Sequence, residues 1–199
     1  MIVGTIPPPR FSSSELLEND VDFCYGSKYG LLWPILNQIF ELKLEFKNSE
    51  FAVQQRKEFL RSHKIGICDI VESCERKKYD ASDLGMENIN LRNIIKYLRK
   101  NPTITTMLFM GGNSKNGPEY LFRKLLKKNS LPLDLIEKDA PKIHKLKLGN
   151  RTIKTVSLIS PSNAANRSIG ANPAYKNLKE NDSSFTTLEF RLMQYKRFF

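Results

Sequence analysis

The sequence predicts an α/β fold, with a mainly parallel central sheet between helices in a three-layer α/β/α sandwich. Short apolar, β-branched runs alternate with amphipathic segments along the chain, a pattern typical of parallel sheets covered by helices. Loops rich in Gly, Pro, Ser and Asn follow several of the apolar runs. The chain has 199 residues, of which 40% are hydrophobic, which suits one domain spanning 1–199 with a substantial core.

The first half of the chain is expected to hold two strands and two helices. The predicted strands are 1–4 and 64–71, and the predicted helices are 31–40 and 51–63. Pro34 suits the first turn of the earlier helix, and the later helix is amphipathic and basic. Aromatic, Gly and turn residues in 21–30 indicate a shaped loop. The charged segment 72–85 is expected to be a loop.

The second half is expected to continue the alternation of helix and strand. Predicted helices cover 87–100, 118–128 and 185–199, and predicted strands cover 103–110, 142–148 and 151–159. Asn101-Pro102 is expected to end the first of these helices. Gly149-Asn150 is expected to join the last two strands in a hairpin.

The charge balance favours a polyanionic partner. The formal net charge is +11, with an isoelectric point near 9.6. Such a balance is typical of nucleic-acid-binding proteins. No apolar run reaches the roughly 18 residues of a membrane span, and residues 1–4 read as a strand rather than a signal peptide.

Cysteine and histidine usage indicates neither disulfides nor a metal site. The three cysteines, Cys24, Cys68 and Cys74, are an odd number without metal-binding spacing, which favours a reducing cytoplasm and no metal. His63 and His144 have no Cys, Asp or Ser pattern around them, so both are expected on the surface.

Two Pro-bearing loops follow predicted strands at opposite ends of the chain. One runs from Gly4 to Arg10, and the other runs from Ser160 to Arg167. Ligands of open α/β sheets bind beyond the carboxyl ends of strands. Because these loops contain Gly, Ser, Asn and Arg but almost no carboxylate, a phosphate-bearing ligand is expected.

Four segments in chain order give the sequence a family resemblance. They are Gly4-Thr5-Ile6-Pro7, 23–34, 66–74 and 160–166. Together they resemble the motifs of the uracil-DNA glycosylase superfamily, most of all the branch with the mismatch-specific and hypoxanthine-DNA glycosylases. The resemblance covers nearly the whole chain, although each motif alone is short.

The resemblance implies a metal-independent and cofactor-independent DNA glycosylase of base-excision repair, acting as a monomer on damaged or deaminated DNA. Such an enzyme flips uracil or hypoxanthine from the stack and hydrolyses its N-glycosidic bond. The implied base-binding residues are Gly4, Pro7, Phe23, Tyr25, Gly26, Asp69 and Ser73. The implied DNA-binding residues are Arg10, Ser27, Lys28, Ser160, Pro161, Ser162, Asn163, Asn166 and Arg167.

The first motif departs from the usual family pattern. Thr5 and Ile6 stand where most members carry an Asp, Asn or Glu that activates water, and neither is a general base. The hypoxanthine branch also has an apolar residue there. The predicted catalytic set is therefore Thr5, Ile6 and Asp69, with a carboxylate of 20–22 as an alternative for positioning water.

Two other functions stay open at this point. One is a non-catalytic nucleic-acid-binding protein on the same fold, which the missing carboxylate favours. The other is a hydrolase of free nucleosides or nucleotides, which has no need of a net charge of +11. The sequence names neither the base nor the strandedness of the substrate.

Overall fold

A computed structural model describes residues 1–199 and confirms the α/β class, with a mostly parallel six-stranded sheet and eight α-helices. The chain divides into two compact units. We call Met1–Glu15 with Glu58–Leu158 the sheet unit, and Leu16–Lys57 with Ile159–Phe199 the helical unit.

All eight strands lie in the sheet unit. They are β1 (Ile2–Gly4), β2 (Ile67–Asp69), β3 (Val71–Arg76), β4 (Met86–Leu91), β5 (Thr106–Phe109), β6 (Leu133–Glu137), β7 (Lys142–Leu148) and β8 (Arg151–Ser157). The six-stranded sheet has the order β2-β1-β5-β8-β7-β6, and β3 and β4 form a separate antiparallel pair. β2, β1, β5 and β8 are parallel, whereas β7 and β6 are antiparallel additions.

Eight α-helices accompany the strands. They are α1 (Pro9–Ser12), α2 (Leu32–Phe40), α3 (Glu50–Ser62), α4 (Ile94–Lys100), α5 (Pro118–Lys128), α6 (Asn166–Gly170), α7 (Pro173–Asn181) and α8 (Thr187–Tyr195). α1, α4 and α5 belong to the sheet unit, and α3 begins in the helical unit and ends in the sheet unit.

One apolar core holds the sheet unit together. Strand and helix side chains contribute to it, among them Val3, Phe109, Leu98, Phe122 and Ile153, all fully buried. The rings of Phe109 and Phe122 lie 5.1 Å apart, a distance typical of packed aromatic pairs. Because β1 is buried along its whole length, the loop after it starts from a rigid position.

The segment 86–91 corrects the prediction of one long helix over 87–100. It forms β4, which pairs with β3 from the segment predicted as a loop, and α4 begins only at Ile94. Asn90 Nδ2 donates to Ser73 Oγ at 3.0 Å across this pair. Pairing with the preceding strand, β3, overrides helical spacing here, since the spacing of apolar side chains reports only the preference of the segment itself.

The last strands contain one confirmed prediction and two misses. β7 and β8 form the expected hairpin, and Gly149 at the turn takes the left-handed φ of +62° that suits glycine. The sequence did not predict β6. His144 was expected on the surface, but it lies on the inner face of β7 and is 2% exposed.

The helical unit has its own packing. Val21, Ala52 and Val53 form a small buried cluster. Trp33 is buried, and its indole Nε1 donates to the Cys24 carbonyl at 2.7 Å. The predicted helix over 185–199 is α8, whose capping box joins Thr186 and Glu189.

Candidate active site

The ends of β1 and β2 lie side by side in the sheet unit. Gly4 is opposite Asp69 in the parallel register, and the Ile70 amide donates to the Gly4 carbonyl at 2.9 Å. The Val71 amide donates to the Thr5 carbonyl at 3.0 Å. These bonds fix Thr5 and Asp69 at the same sheet edge, where ligands of open α/β sheets bind.

A second carboxyl group, Asp83, lies at this edge. Thr5 Oγ1 donates to Asp83 Oδ2 at 3.0 Å, although the residues are 78 positions apart. Asp83 begins a 3₁₀ turn, Asp83–Gly85, that leads directly into β4. We call Asp69 and Asp83 the acid pair.

A buried amide holds Asp83 in place. Asn116 Nδ2 donates to the carbonyls of Asp83, at 2.9 Å, and of Met86, at 3.2 Å. Asn116 is buried and adopts a left-handed φ of 61°. Sequence reasoning missed Asp83 because it lies among other charged residues, and its contact partners are distant in sequence.

Both carboxyl groups titrate near neutrality. Burial raises the pKa of Asp69 to about 6, the positive charge of Arg92 opposes this, and the negative charge of Asp83 adds to it. Burial also raises the pKa of Asp83 to about 6, against the Thr5 hydrogen bond and the charge of Arg76. Near pH 6, the pair can therefore offer both a proton donor and a proton acceptor, as general acid–base catalysis requires.

The other predicted residues of the sheet unit have different surroundings. Ile6 packs against the main core, and Pro7 lines an open pocket of about 440 Å³. Ser73 is exposed on β3, with its hydroxyl engaged by Asn90. The Arg10 guanidinium lies 5.2 Å from the centre of the Phe11 ring.

In the helical unit, the predicted aromatic and glycine residues form a tight loop. Gly26 is obligatory, because a Cβ there would lie 1.8 Å from the Val21 carbonyl oxygen. Tyr25 takes a left-handed φ of 59° and is half-buried. Phe23 packs against the buried cluster, with its ring 6.0 Å from that of Trp33, so its contacts are those of a core residue.

Asp20 ties this loop together. Its carboxylate accepts from the amides of Lys28, at 2.8 Å, and Leu17, at 3.0 Å, and the residue is fully buried. The sequence predicts that a carboxylate of 20–22 can position water. For Asp20 this prediction is wrong, because its carboxylate is buried and bonded to backbone amides. The Ser27 hydroxyl oxygen accepts from the Tyr29 amide at 3.2 Å. The Lys28 side chain is exposed.

The second Pro loop is held by α8. Arg191 is buried, and its guanidinium donates to the carbonyls of Ser160, at 3.1 Å, and Ser162, at 2.7 Å. The Tyr195 hydroxyl donates to the Ile159 carbonyl at 2.8 Å. The Pro161 carbonyl accepts from the Leu31 amide at 2.9 Å.

After the loop, the chain enters a 3₁₀ turn and α6. Asn163 and Arg167 are exposed, and Asn166 is half-buried. Their exposure leaves Asn163 and Arg167 accessible to a ligand, while Arg191 fixes the backbone that precedes them.

Comparison of the chain with protein-family models, curated proteins and solved structures found no match. None of the helices has the length and apolar character needed to cross a membrane. No three His, Cys, Asp or Glu side chains are grouped so that they could hold a metal ion.

Proposed function

We propose that the protein is a DNA glycosylase with the three-layer fold of the uracil-DNA glycosylase superfamily, acting on a flipped uracil or hypoxanthine. The observation that carries the proposal is the acid pair, in which Asp69 ends β2 and Asp83 accepts a hydrogen bond from Thr5, directly after β1. It supplies the titratable group that the first motif lacks. The net charge of +11 favours the DNA substrate.

The two carboxyl groups have different environments, which assigns their roles. The hydrogen bond from Thr5 and the charge of Arg76 favour the ionised form of Asp83. At Asp69 the charge of Arg92 favours the ionised form, and the charge of Asp83 favours the protonated form. Because Asp83 is the member of the pair that accepts the Thr5 hydrogen bond, we assign Asp83 as the proton acceptor, Asp69 as the proton donor and Thr5 as a positioning residue.

Hydrolysis then proceeds with a balanced transfer of protons. The bond between C1′ of the deoxyribose and the base nitrogen breaks, and the base leaves with the electron pair while Asp69 gives it a proton. Water adds to the oxocarbenium-like C1′, and Asp83 takes the proton that the water loses. Exchange with solvent restores the acid pair, and the products are the free base and an abasic site.

The proposal gives the helical unit a separate role, that of contacting the DNA strand. Contacts to the strand are assigned to Ser160, Ser162 and the exposed Asn163 and Arg167. The backbone of this loop is held by the Arg191 hydrogen bonds.

The test is release of base from labelled oligonucleotides that carry one uracil, hypoxanthine, xanthine or mismatched thymine, in duplex and single-stranded form. We expect release of uracil or hypoxanthine by the wild type, and a loss of 10²-fold or more in D69N and D83N, a size typical of general acid–base groups. D134N, at an exposed Asp of β6, is the matched control and is expected to retain full activity.

Two other results would replace the proposal. Tight binding of uracil-containing or abasic DNA without release would indicate the non-catalytic binding protein, which the absence of a carboxylate at Thr5 and Ile6 favours. Turnover of a free nucleoside with weak DNA binding at low salt would indicate a nucleoside hydrolase.

A further inference from the structure

A pocket of about 440 Å³ lies between α1 and the turn that joins β3 to β4, all within the sheet unit. We infer that this pocket, here called the α1 pocket, binds a phosphate group of the nucleic-acid backbone. The inference rests on the proposed function for the source of the phosphate. Its residues are Ile6, Pro7, Pro9, Ser12, Ser13, Cys74, Arg76, Lys77, Lys78 and Tyr79.

The lining carries three positive charges and no carboxylate. Arg76, Lys77 and Lys78 are the cations, and Ser12 adds a hydroxyl group that can donate to a phosphate oxygen. Cations with hydroxyl donors are the residue types that contact phosphates in protein–DNA complexes.

Arg76 has an unsatisfied donor. Its Nη1 donates to the carbonyls of Asp80 and Ser82, both at 2.9 Å, which fixes the guanidinium against the turn. Its Nη2 is buried and has no partner. A buried charged donor without an acceptor is costly. Because Nη2 is itself buried, the guanidinium has to turn for Nη2 to meet a phosphate oxygen in the α1 pocket, and that contact would remove the cost.

Carboxylates around the pocket are largely engaged elsewhere. Glu15 accepts from Tyr79 Oη and from Ser13 Oγ, the latter at 2.8 Å, and these hydrogen bonds lower the pKa of Glu15. Lys77 Nζ lies 2.9 Å from Glu87 Oε1 in an exposed pair, which contributes little against water. Lys78 makes no ion pair, so its charge is available to an anion.

The α1 pocket adjoins the acid pair. Ile6 and Pro7 in its lining directly follow Thr5, which binds Asp83. Arg76 belongs to both sites, because its charge also lowers the pKa of Asp83. A phosphate on Arg76 would offset that charge, so occupancy of the pocket and the titration of the acid pair are coupled.

The experiment measures binding of undamaged single-stranded and duplex oligonucleotides by fluorescence anisotropy across a salt series. We expect K77Q/K78Q to lower the slope of log K against log salt by about 1 to 2, as the loss of one or two phosphate contacts predicts. R76K keeps the positive charge but loses the several N–H donors of the planar guanidinium, and it is expected to weaken oligonucleotide binding several-fold. K127Q/K128Q, at the end of α5, is the matched control with the wild-type slope.

A second arm uses inorganic phosphate at constant ionic strength and follows the melting temperature. A lower salt slope in K77Q/K78Q, together with weaker oligonucleotide binding by R76K, establishes that the α1 pocket binds a phosphate of the nucleic-acid backbone, whether or not inorganic phosphate changes the melting temperature. A melting shift with inorganic phosphate that R76K abolishes, without any change in oligonucleotide slope, would overturn the backbone source and assign a free phosphate.

Unchanged slopes and affinities in the pocket variants, together with wild-type base release, would overturn the α1 pocket alone. Absence of base release with pocket-dependent binding would instead overturn the proposed catalysis and leave the α1 pocket standing.

Discussion

Thr5 and Asp83 are joined by a hydrogen bond of 3.0 Å from Thr5 Oγ1 to Asp83 Oδ2. This bond fixes the turn before β4 to the loop after β1, and it favours the ionised form of Asp83. It thereby connects the first Pro loop to the carboxyl group that we propose as proton acceptor.

Removal of the Thr5 hydroxyl is expected to shift the pH profile. With both carboxyl pKa values at about 6, base release is expected to follow a bell-shaped curve near pH 6, because one group must be protonated and the other ionised. T5V removes a hydrogen bond to the ionised form, so the pKa of Asp83 rises and the acidic limb moves up by about one pH unit. T5S retains a hydroxyl and is the control. Superimposable profiles for T5V and wild type would remove Thr5 from the mechanism.

The acid pair is expected to cost stability at neutral pH. A carboxyl group with a raised pKa binds its proton more tightly in the folded state, so folding is favoured below about pH 4 and that advantage is lost as the pH rises through about 6. D69N should therefore be more stable than wild type near neutrality, on the order of 1–3 kcal/mol, and nearly equal to it at low pH. Urea unfolding at several pH values measures this, with D134N as control. Lower stability of D69N at neutral pH would show that the Asp69 charge is well compensated.

His144 is expected to give folding stability the opposite pH dependence to that of the acid pair. Arg123 Nη2 lies 2.6 Å from His144 Nε2, and since Arg only donates, Nε2 accepts and the proton resides on Nδ1. Burial, followed by the charge of Arg123, lowers the pKa of His144. Stability is then lost as the pH falls through the unfolded-state value of about 6.5, where the unfolded chain binds the proton more readily.

The measurement is a nitrogen-15 NMR titration of the two histidine rings. His144 is expected to stay neutral, with its proton on Nδ1, to a pH below the ordinary histidine value of about 6.5. A His144 ring that gains its second proton at or above that pH would contradict the buried, neutral His144. H63Q is the control that assigns the signals.

Arg191 is expected to support DNA binding without touching the DNA. Its guanidinium donates hydrogen bonds to the Ser160 and Ser162 carbonyls. R191M removes both bonds and leaves two carbonyls without their donor. Amides of 160–166 should therefore exchange faster with solvent, and DNA binding, measured by fluorescence anisotropy, should weaken several-fold because this loop is assigned to contact the strand. R191K is expected to recover part of the loss. Unchanged exchange in R191M would show that the loop is held by other contacts, such as that of Tyr195.

Local patterns predicted the elements that depend on local spacing. α2, α3, α5 and the β7–β8 hairpin follow from apolar periodicity and turn residues, and β1 follows from its unbroken apolar run. The strand β4 could not be predicted in this way, because the segment 86–91 is a strand only through its pairing with β3. The spacing of apolar residues within a segment carries no information about which segment it pairs with.

The residues of the candidate site likewise divide into those that local sequence patterns indicate and those that only contacts with other segments reveal. Asp69 could be selected from the sequence, since a lone carboxylate after apolar residues requires a partner. Asp83 could not, because what distinguishes it from its charged neighbours is contact with Thr5 and Asn116, distant in sequence. His144 was misplaced because a basic neighbourhood, Lys142 and Lys145, conceals the inward side of an alternating strand.

Base release by wild type, D69N and D83N near pH 6 tests the central claim most directly, with uracil and hypoxanthine oligonucleotides and D134N alongside. The proposed function predicts that wild type and D134N convert one of these substrates to abasic sites, while both acid-pair variants bind the DNA but release base at least 10²-fold more slowly. Wild-type rates in both acid-pair variants, or DNA binding without release by the wild type at enzyme excess, would contradict the acid pair as the catalytic centre.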